Sequence, residues 1–346
     1  CSSDLSAALG KIGNDADQFT KSMAAANARV LAFGTAVGVI EAMRRSFVAL
    51  IKTTVSVEEA LTKISVVAGD DLAKAGVSIG QLGKSLFNIA RDTGQSFETV
   101  NQAALEFQRQ GIGVQESLKR TRDAMVAVRI SGVSVGDAVT GLTSILNAFK
   151  KSGLDSTTVL NKLVALDNSS AASFPDLIQG MQRAASVSQL AGNNFDQTAA
   201  SIATLQEITA RGGPIIGNAL KSIDTRLYGE KSLEFLEKFQ GGIVKTKDSA
   251  GQLLPSIEII RSLSQALKTV PKGEQLGILS KLSGLYQVNS ISALVDSFQL
   301  VEGEISLYDK NLRTSINTTN EAGVANKKLS EILASQFNTI GVNITE

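Results

Sequence analysis

The sequence predicts an all-α protein: an array or bundle of short helices joined by glycine-containing capped turns, with longer helices at the N-terminal end. Three observations carry that expectation. The apolar share of 43% rests on Ala, Val, Leu and Ile, because Trp is absent and only 13 Phe and 3 Tyr occur in 346 residues, a composition suited to closely packed helices. A short stretch with the order glycine, any residue, capping residue recurs as AGVSIGQL (75–82), TGQSFETV (93–100), QGIGVQESL (110–118), SGVSVGDAV (131–139), SGLDSTTVL (152–160) and AGNNFDQTA (191–199). Between these stretches apolar residues return at helical spacing, and strand-like alternation is nowhere sustained.

The recurring stretch has a mechanism. Glycine ends one helix because it enters the left-handed cap at little steric cost, and a Ser, Asp or Asn two positions later accepts from the first free N–H groups of the next helix. With caps placed at Ser78, Ser96, Gly113, Ser134, Asp155, Ser173 and Asn194, the steps are 18, 17, 21, 21, 18 and 21 residues. Each step holds a helix of about 12 to 15 residues and a short turn. Phe97, Val100, Ala104 and Phe107 then share a face, as do Val135, Val139, Leu142, Ile145, Leu146 and Phe149. The spacing invites comparison with solenoids, but no named repeat signature is present.

Four parts are expected. Residues 1–65 form one long helix or a helical hairpin, 66–238 the helical array, 239–302 a loop or short hairpin (FQGGIVKTKDSAGQLLPS, 239–256) followed by helices, and 303–346 a polar helical segment. In the last part Leu312, Ile316, Leu329, Ile332 and Phe337 are the widely spaced apolar residues, and such a segment is expected to need a partner to be ordered. In the first part Gly34 and Gly38 stand four apart within FGTAVG, allowing close approach of another helix and marking a candidate self-association site. Val30, Phe33, Val37, Ile40, Phe47 and Ile51 form a candidate membrane-active surface. In its stored form that stretch is expected to be a buried helix, since Glu41, Arg44 and Arg45 would fall at mid-bilayer where about 20 uncharged residues are required.

Charge and chemistry narrow the function. A net charge of +1 without a long run of one sign leaves no nucleic-acid footprint. Histidine is absent, which removes Ser–His and Cys–His nucleophile pairs and imidazole metal sites. The neighbouring acids Glu58 and Glu59, or Asp70 and Asp71, point apart on a helix and cannot share a proton or a metal. GQLGKS (80–85) resembles the end of a phosphate-binding loop, yet Ser78 stands where that loop needs its first glycine, and Ile79, Leu82, Leu86 and Ile89 continue a helical stripe through it. No enzyme, metal or cofactor is expected. The one cysteine, Cys1, permits no internal disulfide and favours a reducing compartment, no signal peptide is recognisable, and a start without Met suggests a processed product or a segment of something longer.

The order of several segments resembles the core region of phage tail tape-measure proteins of the minor-tail family. They are VLAFGTAVGVIEAMRRSF with SVEEALTKISVVAG, ARDTGQSFETVNQAALEFQRQGIGVQESL, the run from DNSSAASFPDLIQG to ALKSIDTRL, and KDSAGQLLPSIEIIRSLSQAL with LSGLYQVNSISALVD. The resemblance covers most of the chain, and its specificity lies in the shared order rather than in any one motif. It implies a structural virion protein that acts in tail assembly and length determination and leaves through the tail tip during genome ejection. The implied partners are the tube and tail-tip or baseplate proteins, while further copies of the chain and conditional contact to the host membrane are expected from the Gly34–Gly38 helix and the apolar side of residues 30–51. The implied location is the tail lumen or tip, and the host cytoplasm during assembly. A ruler is extended, however, and 346 residues would span about 520 Å only as one unbroken helix. The capped turns break it, so a folded module of a longer tape measure is expected. A helical-repeat interaction scaffold and a membrane-active bundle are the alternatives from other classes. A murein hydrolase accompanies some tape measures, but no catalytic constellation supports one here.

Overall fold

The computed structural model describes residues 59, 61–299, 301–302, 305–318 and 323–345. Contacts divide the chain into two units, Cys1–Glu59 and Ala60–Glu346, and the elements named below belong to the second. After a helical stretch at 61–68 and a single turn at Asp70–Lys74 come α1 (Ile79–Thr93), α2 (Phe97–Arg109), α3 (Val114–Ser131), α4 (Val135–Ala148), α5 (Ser156–Ser169), α6 (Phe174–Leu190), α7 (Phe195–Thr209) and α8 (Gly213–Leu227). Then follow α9 (Glu230–Lys238), α10 (Ser256–Leu267), α11 (Lys272–Ser283), α12 (Val288–Ser297), a ribbon of β1 (Val301–Glu302) against β2 (Ile305–Ser306), α13 (Leu307–Asn317) and α14 (Val324–Thr345).

The helix starts stand where the spacing put them. Ser78, Ser96, Ser134, Asp155, Ser173 and Asn194 are N-caps whose side chains each accept from the backbone N–H three residues on, while Gly113 caps α3 without a side chain. The preceding glycines Gly76, Gly94, Gly111, Gly132, Gly153 and Gly192 have φ between 64° and 78°, the left-handed region the mechanism requires. The rhythm continues past the last expected cap, with Gly212 and Gly229 starting α8 and α9. Before Gly212 the left-handed place is filled by Ala210 at φ 52°, the one non-glycine with positive φ among the described residues. One stripe is corrected: Ile79 is 49% exposed, because as the first helical residue it precedes the face on which Leu82, Leu86 and Ile89 are buried.

The array forms two rows. Helices α2, α4, α6, α8 and α11 each pack on the next, α1, α3, α5, α7 and α12 do likewise, and each helix from α1 to α8 also packs on its sequence neighbour. One contiguous core runs from Ile64 to Leu329. The first row is held very close. A Cβ on Gly141 of α4 would lie 2.4 Å from Ile178 of α6, one on Gly217 of α8 would lie 2.5 Å from the Gly180 carbonyl oxygen of α6, and one on Gly213 would lie 2.1 Å from the Asp176 carbonyl oxygen. The approach is used at once: the Asp176 carboxylate accepts from the Gly213 N–H at 2.7 Å, capping α8 from the neighbouring helix where Gly212 has no side chain to do so.

The expected loop or short hairpin at 239–256 is a one-turn 3₁₀ helix, Phe239–Gly241, and then a hairpin with a bridge between Lys247 and Leu253. It is tied to α6 and α8 around Asp224, whose carboxylate is fully buried and accepts from Ser188 Oγ at 2.5 Å and Ser256 Oγ at 2.6 Å. Asn193 donates to Ser256 Oγ and accepts from the Ile257 N–H, and Tyr228 donates to the Leu254 carbonyl. Burial raises the Asp224 carboxyl from 3.8 to about 6, against the lowering effect of the Ser188, Ser256 and Asn193 contacts.

Two outcomes follow. Gly217→Ala should lower stability by about 2–3 kcal/mol in chemical denaturation, because a backbone carbonyl must move, whereas Gly277→Ala, in an open place in mid-α11, should be neutral or stabilising by up to ~1 kcal/mol. Since the Asp224 carboxyl binds its proton more tightly folded than unfolded, its contribution to stability rises as pH falls from about 6 towards 4, by on the order of 3 kcal/mol at most. Thermal melts across that window should show Asp224→Asn losing this part of the pH dependence. An identical slope in the variant would contradict the assignment.

Candidate functional site

The structure's most elaborate polar arrangement lies where the C-terminal helices cross the second row. Sequence spacing singled out Leu312 and Ile316 on α13, yet α13 buries Tyr308, Asn311 and Ser315, a stripe at steps of three and four, while Ile316 is 46% exposed. The segment thus finds its partner within the chain, and the reason for the reversal is the surface it meets. Helix α7 presents Asp196, the Gln197 carbonyl, Thr204 and Glu207, so polar residues on α13 satisfy groups that an apolar stripe would have stranded. Asn311 Nδ2 donates to Thr204 Oγ1 at 3.1 Å and to Glu207 Oε2 at 3.3 Å. Ser315 Oγ donates to Asp196 Oδ1 at 2.6 Å.

Lys162 of α5 closes this seam from below. Its side chain is 1% exposed, and its Nζ donates to Asp196 Oδ1 at 2.5 Å and to the Ser315 carbonyl at 2.9 Å, with the Phe195 ring centroid 5.8 Å away. One ammonium therefore joins α5, α7 and α13. At the start of α13, Arg261 of α10 makes a two-pronged pair with Asp309 at 3.0 and 2.7 Å and stacks 4.6 Å from the Phe298 ring centroid. Burial opposes ionisation of Asp309, but the Arg261 and Ser306 hydrogen bonds outweigh it and hold the carboxyl below its usual range. Helix α14 is tied to the same row, with the Ala325 N–H donating to Asn161 Oδ1 at 3.1 Å and Lys328 reaching Asp167 at 2.6 Å.

This arrangement ties α5, α7, α10 and α13 together. Asp196 is paired with Lys162 and Asp309 with Arg261 inside the chain, and among the described residues no group of three or more Cys, Asp or Glu is placed to hold a metal. GQLGKS lies within the first turns of α1, where Ser78 and Gln81 cap each other's N–H groups and Lys84 is exposed. Gly34, Gly38, Val30, Phe33, Val37, Ile40, Phe47 and Ile51 lie outside the described residues. No helix among the described residues is long and apolar enough to cross a membrane. The sequence signals for the seam are slight: Lys162 is a lone charge in the apolar run VLNKLVAL, and Tyr308, Asn311 and Ser315 recur at helical spacing.

Breaking the pair from one side should cost more than removing both charges. Lys162→Met is expected to destabilise the protein by about 2–3 kcal/mol, less than a fully buried pair because Asp196 is 22% exposed, and to speed amide exchange across 307–317. Lys162→Met with Asp196→Leu should recover part of that loss. Equal destabilisation by the single and double variants, with exchange in α13 unchanged, would mean that the seam is not held by this pair.

A family model described as phage-related minor tail protein matches residues 88–284, more than half of the chain and the stretch from within α1 to the end of α11. No solved structure gives a significant match.

Proposed function

The chain belongs to the phage-related minor tail protein family, and from that premise we propose that it is a folded segment of a tail tape-measure protein. In this reading it acts in tail assembly and length determination, resides in the tail lumen or at the tip, and leaves through the tip during genome ejection. The observation that supports the reading is the family match over residues 88–284, and the two-row array bears on its form. A chain broken into capped helices, of which α14 with 22 residues is the longest described, cannot measure length as a rod, so the segment is a body that packs against tube and tip proteins while other sequence provides the extension. The second row, covered by the chain's own α13 and α14, supports a packing role rather than an open peptide groove.

The same array also suits a helical-repeat scaffold that organises tail proteins without ruling or leaving, and one experiment separates the two. With a premature stop codon in the gene, particles should lack tails of uniform length, and wild-type particles emptied by receptor should have lost this protein by quantitative mass spectrometry. Tails of normal, uniform length in its absence, or full retention in emptied particles, would overturn the tape-measure reading and leave the scaffold.

A further inference from the structure

Between α11 and α12 the chain makes a 3₁₀ turn, Leu285–Gln287, that holds two apolar side chains in solvent: Leu285 is 83% and Tyr286 94% exposed. The turn is stiff. Gly284 before it has φ 77° and ψ 161°, a conformation essentially confined to glycine, and an added Cβ would sit 2.9 Å from the Arg226 guanidinium carbon. Its N–H donates to the Ser280 carbonyl at 2.8 Å, its carbonyl accepts from the Gln287 N–H at 3.1 Å, and the buried Ser283 hydroxyl lies 2.9 Å from the Leu279 carbonyl and 3.2 Å from that of Gly284. A glycine-only backbone at Gly284 thus sets the turn on which Leu285 and Tyr286 stand exposed side by side, the kind of apolar and aromatic anchors that interfaces use.

The surroundings specify the partner. Arg226 touches Gly284 and Lys281 lies one turn before it, with its Nζ 5.4 Å over the Phe235 ring, and neither forms an ion pair with a carboxylate among the described residues. A second copy meeting this turn symmetrically would bring these cations together, which is repulsive. The two side chains also offer only about 300 Å², against about 800 Å² per partner in a stable pair. A membrane surface would accept Leu, Tyr and cations, but an interfacial element presents an extended apolar face rather than two side chains on one turn.

We propose that the Leu285–Tyr286 turn is a docking knob that enters an apolar socket rimmed by carboxylates on another tail protein, its modest area made sufficient by repetition of the contact in the assembled tail. The inference rests on family membership and not on the ruling or ejection of the chain, and its test reads neither.

In assembled particles carrying the full chain with the photo-reactive residue p-benzoylphenylalanine in place of Tyr286, irradiation should link it to one other tail protein, at a site flanked by Asp or Glu. The paired change Leu285→Ser with Tyr286→Ser should leave the thermal midpoint within about 2 °C and lower the yield of complete tails about tenfold or more. Leu190→Ser, which removes another largely exposed leucine, should leave the yield unchanged. A link only to further copies of this chain, no link in complete tails, or wild-type yield from the paired variant would overturn the proposal. So would sedimentation of the full chain with phosphatidylglycerol vesicles that the paired change abolishes, since that assigns the turn to a membrane.

Discussion

Where α8 crosses α6, backbone lies against backbone: Gly217 stands on the Gly180 carbonyl and Gly213 on that of Asp176, with no side chain between. A helix pair packed through side chains sits about 8–10 Å apart, and this contact is closer than a Cβ allows. The rest of the array depends on it. Because α8 starts against α6, its first N–H groups come within reach of the Asp176 carboxylate, and Gln206 of α7 donates to that same carboxylate, so three helices are placed by one acid. Because α6 lies close against α8 on one side and against α4 through Gly141 and Ile178 on the other, the first row forms a continuous stack, and helices of the second row pack against it.

What could be read from the sequence was what is decided locally. A glycine, a spacer and a short polar side chain specify a helix stop and start through contacts within six residues, and from Gly76 to Asn194 those positions stand as the spacing places them. The seams could not be read in the same way. Gly141, Gly180 and Gly217 look in the sequence like helix-weakening residues, and only the approach of a second helix tells them from Gly277, which faces open space. Nor does hydrophobic periodicity reveal that α13 fully buries Tyr308, Asn311 and Ser315 while Leu312 is half-buried and Ile316 exposed, because that choice is made by the polar face of α7 on which it lands. Ala210 is a third case: it takes a left-handed place that glycine fills elsewhere, and nothing within its own residue type announces it.

These features describe a body built for definite shape. Buried ion pairs such as Lys162 with Asp196 contribute little net stability once desolvation is included, but they penalise every arrangement in which α13 is displaced from α5 and α7. Asp224 behaves similarly, its buried carboxylate joining α6, α8 and the hairpin at some cost above pH 6. For a member of a tail family, the turn that exposes Leu285 and Tyr286 is a surface at which a neighbour could be met.

The claim that the glycine seam is the keystone is tested most directly by native-state hydrogen exchange followed along the chain in increasing denaturant. If the α4–α6–α8 stack is the last structure to yield, amides of α6, α7 and α8 exchange only through global unfolding, while those of α1 and α9 open earlier by local fraying. Exchange in α6 and α8 at the rate of α1, or protection greatest in α13 and α14, would contradict it.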